Sequence, residues 1–284
     1  GVPCSCNERL LTEILRDEWG FDGFVVSDYW GVEGLYEAHK LVDDYYKAEA
    51  RCLKAGLDVN LPHSCYEKLV KALEKGEITE ADVDRAVLRV LTAKFEIGLM
   101  DAPFADPAAA DALVRCDAHK QLALEAARRS IVLLKNENVL PLDRKQIKTL
   151  AVFGASANEL PVGKNYSGPF QRLWEAEDAK TPLQYLSEYL GDSVKVIFAE
   201  DEKIEEIASQ CDAAIYFTTV VEGEGMDRSD IRLPGVTRKA QADESAIIVG
   251  KFEAEIKTDQ EESIRRMTKT NPNSAVVLLN GAPV

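Results

Sequence analysis

The chain has 284 residues, 46% of them hydrophobic and 29% charged, which excludes a disordered polar segment and allows one large domain or two ordinary ones, each with a sizeable core. With 49 acidic and 34 basic residues the formal net charge is −15, which argues against nucleic acid, whose phosphates need a clustered basic stripe, and suits a neutral ligand such as a sugar. No apolar run approaches the ~20 residues that span a bilayer, so no membrane partner is expected.

In chain order, Asn7 is expected to cap a helix over residues 7–18 with Leu10, Leu11, Ile14 and Leu15 on its apolar face. Gly20-Phe21-Asp22-Gly23 ends it, and residues 24–27 (Phe-Val-Val-Ser) form a short β-branched run fit for a buried parallel strand. A helix is expected over residues 43–55, stopped by Gly56, and a second strand over residues 57–61, stopped by Pro62. Thr79-Glu80-Ala81-Asp82 resembles a capping box opening a helix with Val83, Val87, Leu88, Leu91 and Phe95 on one side. This alternation of strand and helix predicts a parallel sheet with helical crossovers.

Residues 102–112 are rich in Ala, Pro and Asp and read as a connection into a helix over residues 118–130. A second α/β unit is then predicted, with strands over residues 131–134, 150–153, 194–198, 213–218 and 275–279 and helices over residues 182–190 and 203–209. Residues 236–270 are highly charged and read as an insertion carrying one helix. The division is accordingly residues 1–106, a linker over 107–124, and residues 125–284. The cysteines (Cys4, Cys6, Cys52, Cys65, Cys116, Cys211) show no CxxC spacing and read as buried free thiols, with no metal site implied. His39, His63 and His119 are far apart and read as surface or supporting residues.

Two places carry chemistry. Asp28 ends the run 24–27, where a carboxylate at the carboxyl end of a barrel-type strand faces the usual active-site mouth. Tyr29 and Trp30 follow it, and aromatic faces stack on sugar rings. The competing reading is that Asp28 caps the next helix. The second place is Glu222-Gly223-Glu224-Gly225-Met226-Asp227-Arg228, which crowds carboxylates into a glycine-permissive loop after a strand. Neighbouring carboxylates raise each other's pKa, which suits a general acid, although a solvated acidic loop fits the same residues. Asp58 ends a strand and fits either a sugar site or a structural role. Gly154-Ala155-Ser156-Ala157-Asn158 turns after a strand but lacks GxGxxG, which disfavours nucleotide binding.

Several stretches resemble glycoside hydrolase family 3. The opening Gly1-Val2-Pro3-Cys4-Ser5 and the long gapless run from Leu15 to Asp28 are similar to that family's nucleophile region. Ala55-Gly56-Leu57-Asp58 resembles its next barrel strand, residues 86–91 the helix that leaves the barrel, and residues 130–136 with Leu140-Pro141-Leu142 the start of its second domain. Residues 223–228 with Leu233-Pro234-Gly235 resemble its acid/base loop, and Asn280-Gly281-Ala282-Pro283-Val284 a strand-end motif beyond it. Trp30 stands where the family has a small residue, and residues 236–270 have no counterpart.

The resemblance implies an α/β architecture: the C-terminal part of a (β/α)8 TIM-type barrel, then a partial α/β sandwich domain. It implies hydrolysis of terminal non-reducing β-D-glycosyl residues with retention, by a β-glucosidase first and a β-xylosidase second. Asp28 falls at the nucleophile and Glu224 at the acid/base, with Glu222 the alternative, and Tyr29, Trp30 and Arg228 are expected to bind substrate. The substrate would be a β-linked oligosaccharide or an aryl or alkyl β-glycoside, with no cofactor and no metal. Only 27 residues precede Asp28, so the chain is expected to be an internal slice of a larger protein, and a non-catalytic carbohydrate-binding or assembly fragment is the rival reading. Oligomeric state is left open, as is compartment: cytoplasmic, periplasmic and secreted locations all fit.

Overall fold

A computed structural model describes residues 1–61, 68–160, 179–220, 231–233 and 258–280. The chain divides into two compact units, Gly1–Ser130 and Ile131–Val284.

The first unit opens with a single turn at Cys4–Cys6 and a helix of π type over Arg9–Glu18. Strand β1 (Val26–Tyr29) follows, then helices α1 (Gly34–Glu37) and α2 (Tyr45–Ala55), strand β2 (Val59–Leu61), and helices α3 (Leu69–Glu74) and α4 (Glu80–Glu96). Helix α2 is the centre of this unit. Asp44 caps its start by accepting from Tyr46 N at 3.3 Å, and Gly56, at φ 108°, ends it in the left-handed conformation that favours glycine. One side of α2 packs Ala48, Cys52 and Ala55 with Cys6, Leu11, Val32, Leu35 and Leu57. Its other side packs Ala50 and Leu53 with Ala72, Ile78 and Ala86.

The Thr79–Asp82 capping box forms as expected, with Thr79 N donating to Asp82 Oδ2 at 2.9 Å. The apolar side of α4 does not behave as expected. Val87, Leu88, Leu91 and Phe95 are exposed, and only Ala86 is buried. Periodicity says which side chains share a face, and no described element of this unit covers that one. Beyond it, Pro107–Leu113 forms helix α5, capped by Asp106 accepting from Ala108 N at 2.9 Å, and Asp117–Ser130 forms α6. An Asp at the cap, Pro at the first helical position and an alanine run make a helix start within what the sequence reading treated as a connection.

The second unit is a doubly covered parallel sheet. Its strands β3 (Thr149–Phe153), β4 (Lys195–Phe198), β5 (Ala213–Phe217) and β6 (Ser274–Val277) pair in the order β4-β3-β5-β6, all parallel. Each matches a sequence expectation to within two residues. Helices α7 (Pro182–Leu190), α8 (Ile204–Ala208) and α9 (Gln260–Thr270) complete the unit. Alternate residues of β3 serve opposite cores. Leu150 and Val152 pack with Leu190 of α7, whereas Ala151 and Phe153 pack with Ile204 and Ala208 of α8 and Met267 of α9. A strand covered on both faces reads as a continuous apolar run, which is why this sheet was legible.

The strand expected over residues 131–134 is absent. Ile131, Val132, Leu133 and Leu134 are 63–78% exposed and in no ladder. A β-branched run supplies propensity, but a strand also needs a partner for its main-chain groups, and none of the described residues provides one. No helix among the described residues is long and apolar enough to cross a membrane.

Candidate active site

Asp28 sits in β1, whose sole strand partner among the described residues is β2, paired in parallel. The strand begins at Val26, two residues later than expected, so Asp28 is its third residue, one short of its carboxyl end. The expectation of a buried strand is corrected. Val26, Asp28 and Tyr29 are exposed and only Ser27 is buried, because the core touches one side of this two-stranded sheet, where Val25 packs. The helix-cap reading of Asp28 has no support: its Oδ1 accepts from Tyr29 N at 2.7 Å, and the cap position of α1 is Glu33.

Two polar clusters hold β1 in place. The first centres on Asp58, a fully enclosed carboxylate that pairs with Arg16 Nη2 at 2.7 Å and Arg89 Nη1 at 2.9 Å and also accepts from Val25 N at 2.8 Å. Arg16 further donates to Gly23 O at 2.8 Å, which fixes the turn leading into β1. Burial lowers the Arg16 pKa most, and the nearby Arg89 charge lowers it further, against the opposing pull of Asp58. Of the two roles open to Asp58, the structure shows the structural one. The second cluster runs from Ser27 through Asn60 to Glu33. Ser27 donates to Asn60 Oδ1 at 3.2 Å and accepts from Leu61 N at 2.9 Å, and Asn60 Nδ2 donates to Glu33 Oε1 at 3.3 Å. Sequence reasoning missed Ser27, Asn60 and Glu33. The available signal was a polar Ser at the end of an apolar strand run.

Beyond Asp28 the chain turns sharply. Trp30 adopts φ 56°, a left-handed conformation that a bulky residue rarely takes, and its N–H donates to Leu61 O at 3.2 Å. The position where a small residue was expected is therefore one whose backbone disfavours large side chains. The Tyr29 and Trp30 rings meet edge to face at 5.8 Å, both exposed beside the carboxylate.

Glu222, Glu224 and Arg228 lie outside the described residues, and so does His63. What is described is the strand end before them. In the order β4-β3-β5-β6 the chain turns outward in opposite directions after β3 and after β5, and open parallel sheets bind ligands beyond the carboxyl ends of strands at such a switch point. There Gly154, at φ 87°, lies so close to β5 that a Cβ would stand 2.0 Å from Phe217 O. Ser156 and Thr219 join their hydroxyls at 2.7 Å. Gln260 of α9 grips both main-chain groups of Thr219, accepting from its N–H at 2.7 Å and donating to its carbonyl at 2.9 Å. Residues 221–230 follow directly from this braced edge.

The sequence matches the description "Glycosyl hydrolase family 3 N terminal domain" over residues 1–93 and "Glycosyl hydrolase family 3 C-terminal domain" over residues 131–284. The chain belongs to glycosyl hydrolase family 3. Among curated relatives it is 32% identical to a beta-xylosidase of Formosa agariphila over 311 residues and 30% identical to a periplasmic beta-glucosidase of Salmonella typhimurium over 304 residues. Both alignments cover 100% of this chain but only 39% of the relative, so the chain spans well under half the length of these curated family 3 proteins. Among solved structures it is similar to a GH3 exo-beta-xylosidase in complex with a xylobiose aziridine probe, with a TM-score of 0.72 at 26% identity over 98% of this chain and 34% of that one. It is also similar to a beta-glucosidase of Erythrobacter marinus, with a TM-score of 0.69 at 26% identity over 100% of this chain and 40% of that one. These family 3 neighbours agree with the α/β fold and parallel sheets described above.

Proposed function

We propose that this family 3 chain contributes the catalytic carboxylates of a retaining β-glycosidase. Asp28 attacks the anomeric carbon of a terminal non-reducing β-glycoside and forms a glycosyl ester. Glu224 protonates the leaving oxygen and then activates the water that cleaves the ester. A retaining pair works with its carboxyl groups about 5–5.5 Å apart. Tyr29 and Trp30 offer aromatic faces to the sugar, and Arg228 a positive charge near the acid/base. Residues 1–106 are read as the C-terminal part of a (β/α)8 barrel, residues 107–124 as a linker, and residues 125–284 as an α/β sandwich.

The observation that carries this reading is an exposed carboxylate near the end of a parallel strand, beside two exposed aromatic rings, in the segment that matches the family's N-terminal domain. Relatives named for both sugars are similar to the chain, so β-glucosidase and β-xylosidase are the two arms of the test. Aryl β-glucoside and aryl β-xyloside are offered to the full encoded polypeptide, and the first-formed product anomer is read by proton NMR. Turnover of either with the β anomer appearing first is expected, and an α anomer first would overturn the retaining mechanism. Sugar binding with no turnover of either substrate would favour a non-catalytic carbohydrate-binding or assembly role, which the 39% coverage of the relatives motivates.

A further inference from the structure

A regular parallel pair would bring Leu61 N to a main-chain carbonyl of β1. In this structure it donates to the Ser27 hydroxyl instead, at 2.9 Å, and the ladder slips between its two registered pairs, Val26 with Val59 and Tyr29 with Leu61. The consequence shows in the burial pattern. Val26, Ser27 and Asp28 alternate between exposed and buried as a regular strand does, and the alternation breaks at the next residue, where Tyr29 is exposed beside Asp28. An irregularity of this kind re-aims a side chain.

The hydroxyl can do this because its proton has a fixed direction. A carboxylate oxygen accepts only, so Glu33 Oε1 takes the Asn60 amide N–H at 3.3 Å. Asn60 Oδ1 is thereby left to face Ser27, which donates to it at 3.2 Å and turns a lone pair toward Leu61 N. Ser27 and Asn60 are both buried, and Glu33 Oε2 is enclosed without a partner.

We infer that Ser27 and Asn60, oriented by Glu33, are positioning residues for the Asp28 carboxylate: the Ser27 hydroxyl replaces a ladder bond, and the resulting slip aims Asp28 for attack. The inference rests on the nucleophile reading of Asp28, and the experiment separates the two.

The probe is a dinitrophenyl 2-deoxy-2-fluoro-β-glucoside, or its xyloside counterpart, given to the full encoded polypeptide. An Asp28 oxygen forms a bond to the anomeric carbon, the bond to the aryl oxygen breaks, and dinitrophenolate leaves with the electron pair. The fluorine slows the next step, so the ester accumulates. Mass spectrometry locates it, and its rate of formation gives a labelling constant separate from the probe's dissociation constant.

Wild type is expected to carry the label on Asp28. Ser27→Ala should lower the labelling constant about 10- to 100-fold, the cost of small misplacement of a reacting group, with the dissociation constant unchanged. Asn60→Asp places a second carboxyl against Glu33. Charged groups on the packed elements include Glu37 of α1 and Glu49 of α2, which act on the same neighbours as Glu33, Asp28 on β1, and Asp58 just before β2, paired with Arg16 and Arg89. At high pH the two carboxylates repel and labelling should be slow. As pH falls and they share a proton, labelling should recover relative to wild type. Should Ser27→Ala fail to fold, the Asn60→Asp profile decides alone. Wild-type labelling constants at every pH in folded variants would overturn the positioning role and leave the nucleophile assignment standing. A wild-type label elsewhere than Asp28, or none, would overturn both.

Discussion

The Asp58 carboxylate accepts the main-chain N–H of Val25 at 2.8 Å, so a buried anion on the β2 side fixes the backbone three residues before Asp28. The same carboxylate neutralises Arg16 and Arg89, and removing it strands two buried or half-buried guanidinium groups. Asp58→Ala is expected to lose roughly 3–5 kcal/mol of stability, the usual cost of breaking a buried pair from one side. Asp58→Asn keeps an acceptor for Val25 and should lose less. Urea midpoints of the three proteins check this order, and an Asp58→Ala midpoint equal to wild type would contradict it.

Asp58 also shows where the sequence stopped being informative. Its partners Arg16 and Arg89 stand 42 and 31 residues away, and nothing local ties them together. The elements themselves were far more legible. Helix α7 forms at the expected bounds, where Thr181 and Gln184 make a capping box and Pro182 takes the first helical position. The central strands β3 and β5 are legible because both faces are covered and their residues are nearly all buried, whereas the edge strands β4 and β6 show by their β-branched residues. The run 131–134 looked the same in sequence and is exposed coil, since composition cannot supply a strand partner. At the site, Asp28 was legible as a strand-borne carboxylate, whereas the exposure of β1 and the Ser27–Asn60–Glu33 chain depend on contacts with β2 and the turn before α1. Glu224 lies outside the described residues.

Gly154→Ala tests the close approach of β3 and β5. The added Cβ would meet Phe217 O at 2.0 Å, a backbone atom that cannot swing away, and φ 87° is itself unfavourable for alanine. A loss of about 1–3 kcal/mol is expected, read as a lower thermal midpoint. An unchanged midpoint would show that the edge yields easily.

At the opposite end of the same sheet, Asp212 accepts from Lys148 N at 2.7 Å, Thr149 N at 2.9 Å and Thr149 Oγ1 at 3.0 Å. The Lys148 N–H, and then those from Thr149, hold its carboxyl below the usual carboxylate range. A depressed folded pKa gives stability that is present above the unfolded value, ~3.9, and is lost as pH falls through the folded value. Asp212→Asn should therefore lower the melting temperature at neutral pH, and the gap to wild type should close as pH falls below about 4. A gap constant from pH 7 to the acid limit would show that the charge is not what matters.

Glu224→Ala, made in the full encoded polypeptide, tests the acid/base. Substrates with poor leaving groups need the proton and should slow by roughly 10²–10⁴-fold, whereas activated aryl glycosides should keep much of their glycosylation rate. Added azide should then rescue the second step and yield a β-glycosyl azide. The same pattern in Glu222→Ala, with Glu224→Ala unaffected, would move the assignment by two residues.

The most direct test of the account is kcat/KM for an activated aryl β-glycoside with Asp28→Ala, alongside its thermal midpoint. Asp28 is exposed and, among the described residues, its side chain bonds to the neighbouring Tyr29 N, so folding should survive its loss. A fall on the order of 10⁴-fold or more at an unchanged midpoint is expected, with azide unable to restore a product of retained configuration. Near-normal turnover by a folded Asp28→Ala protein would contradict it.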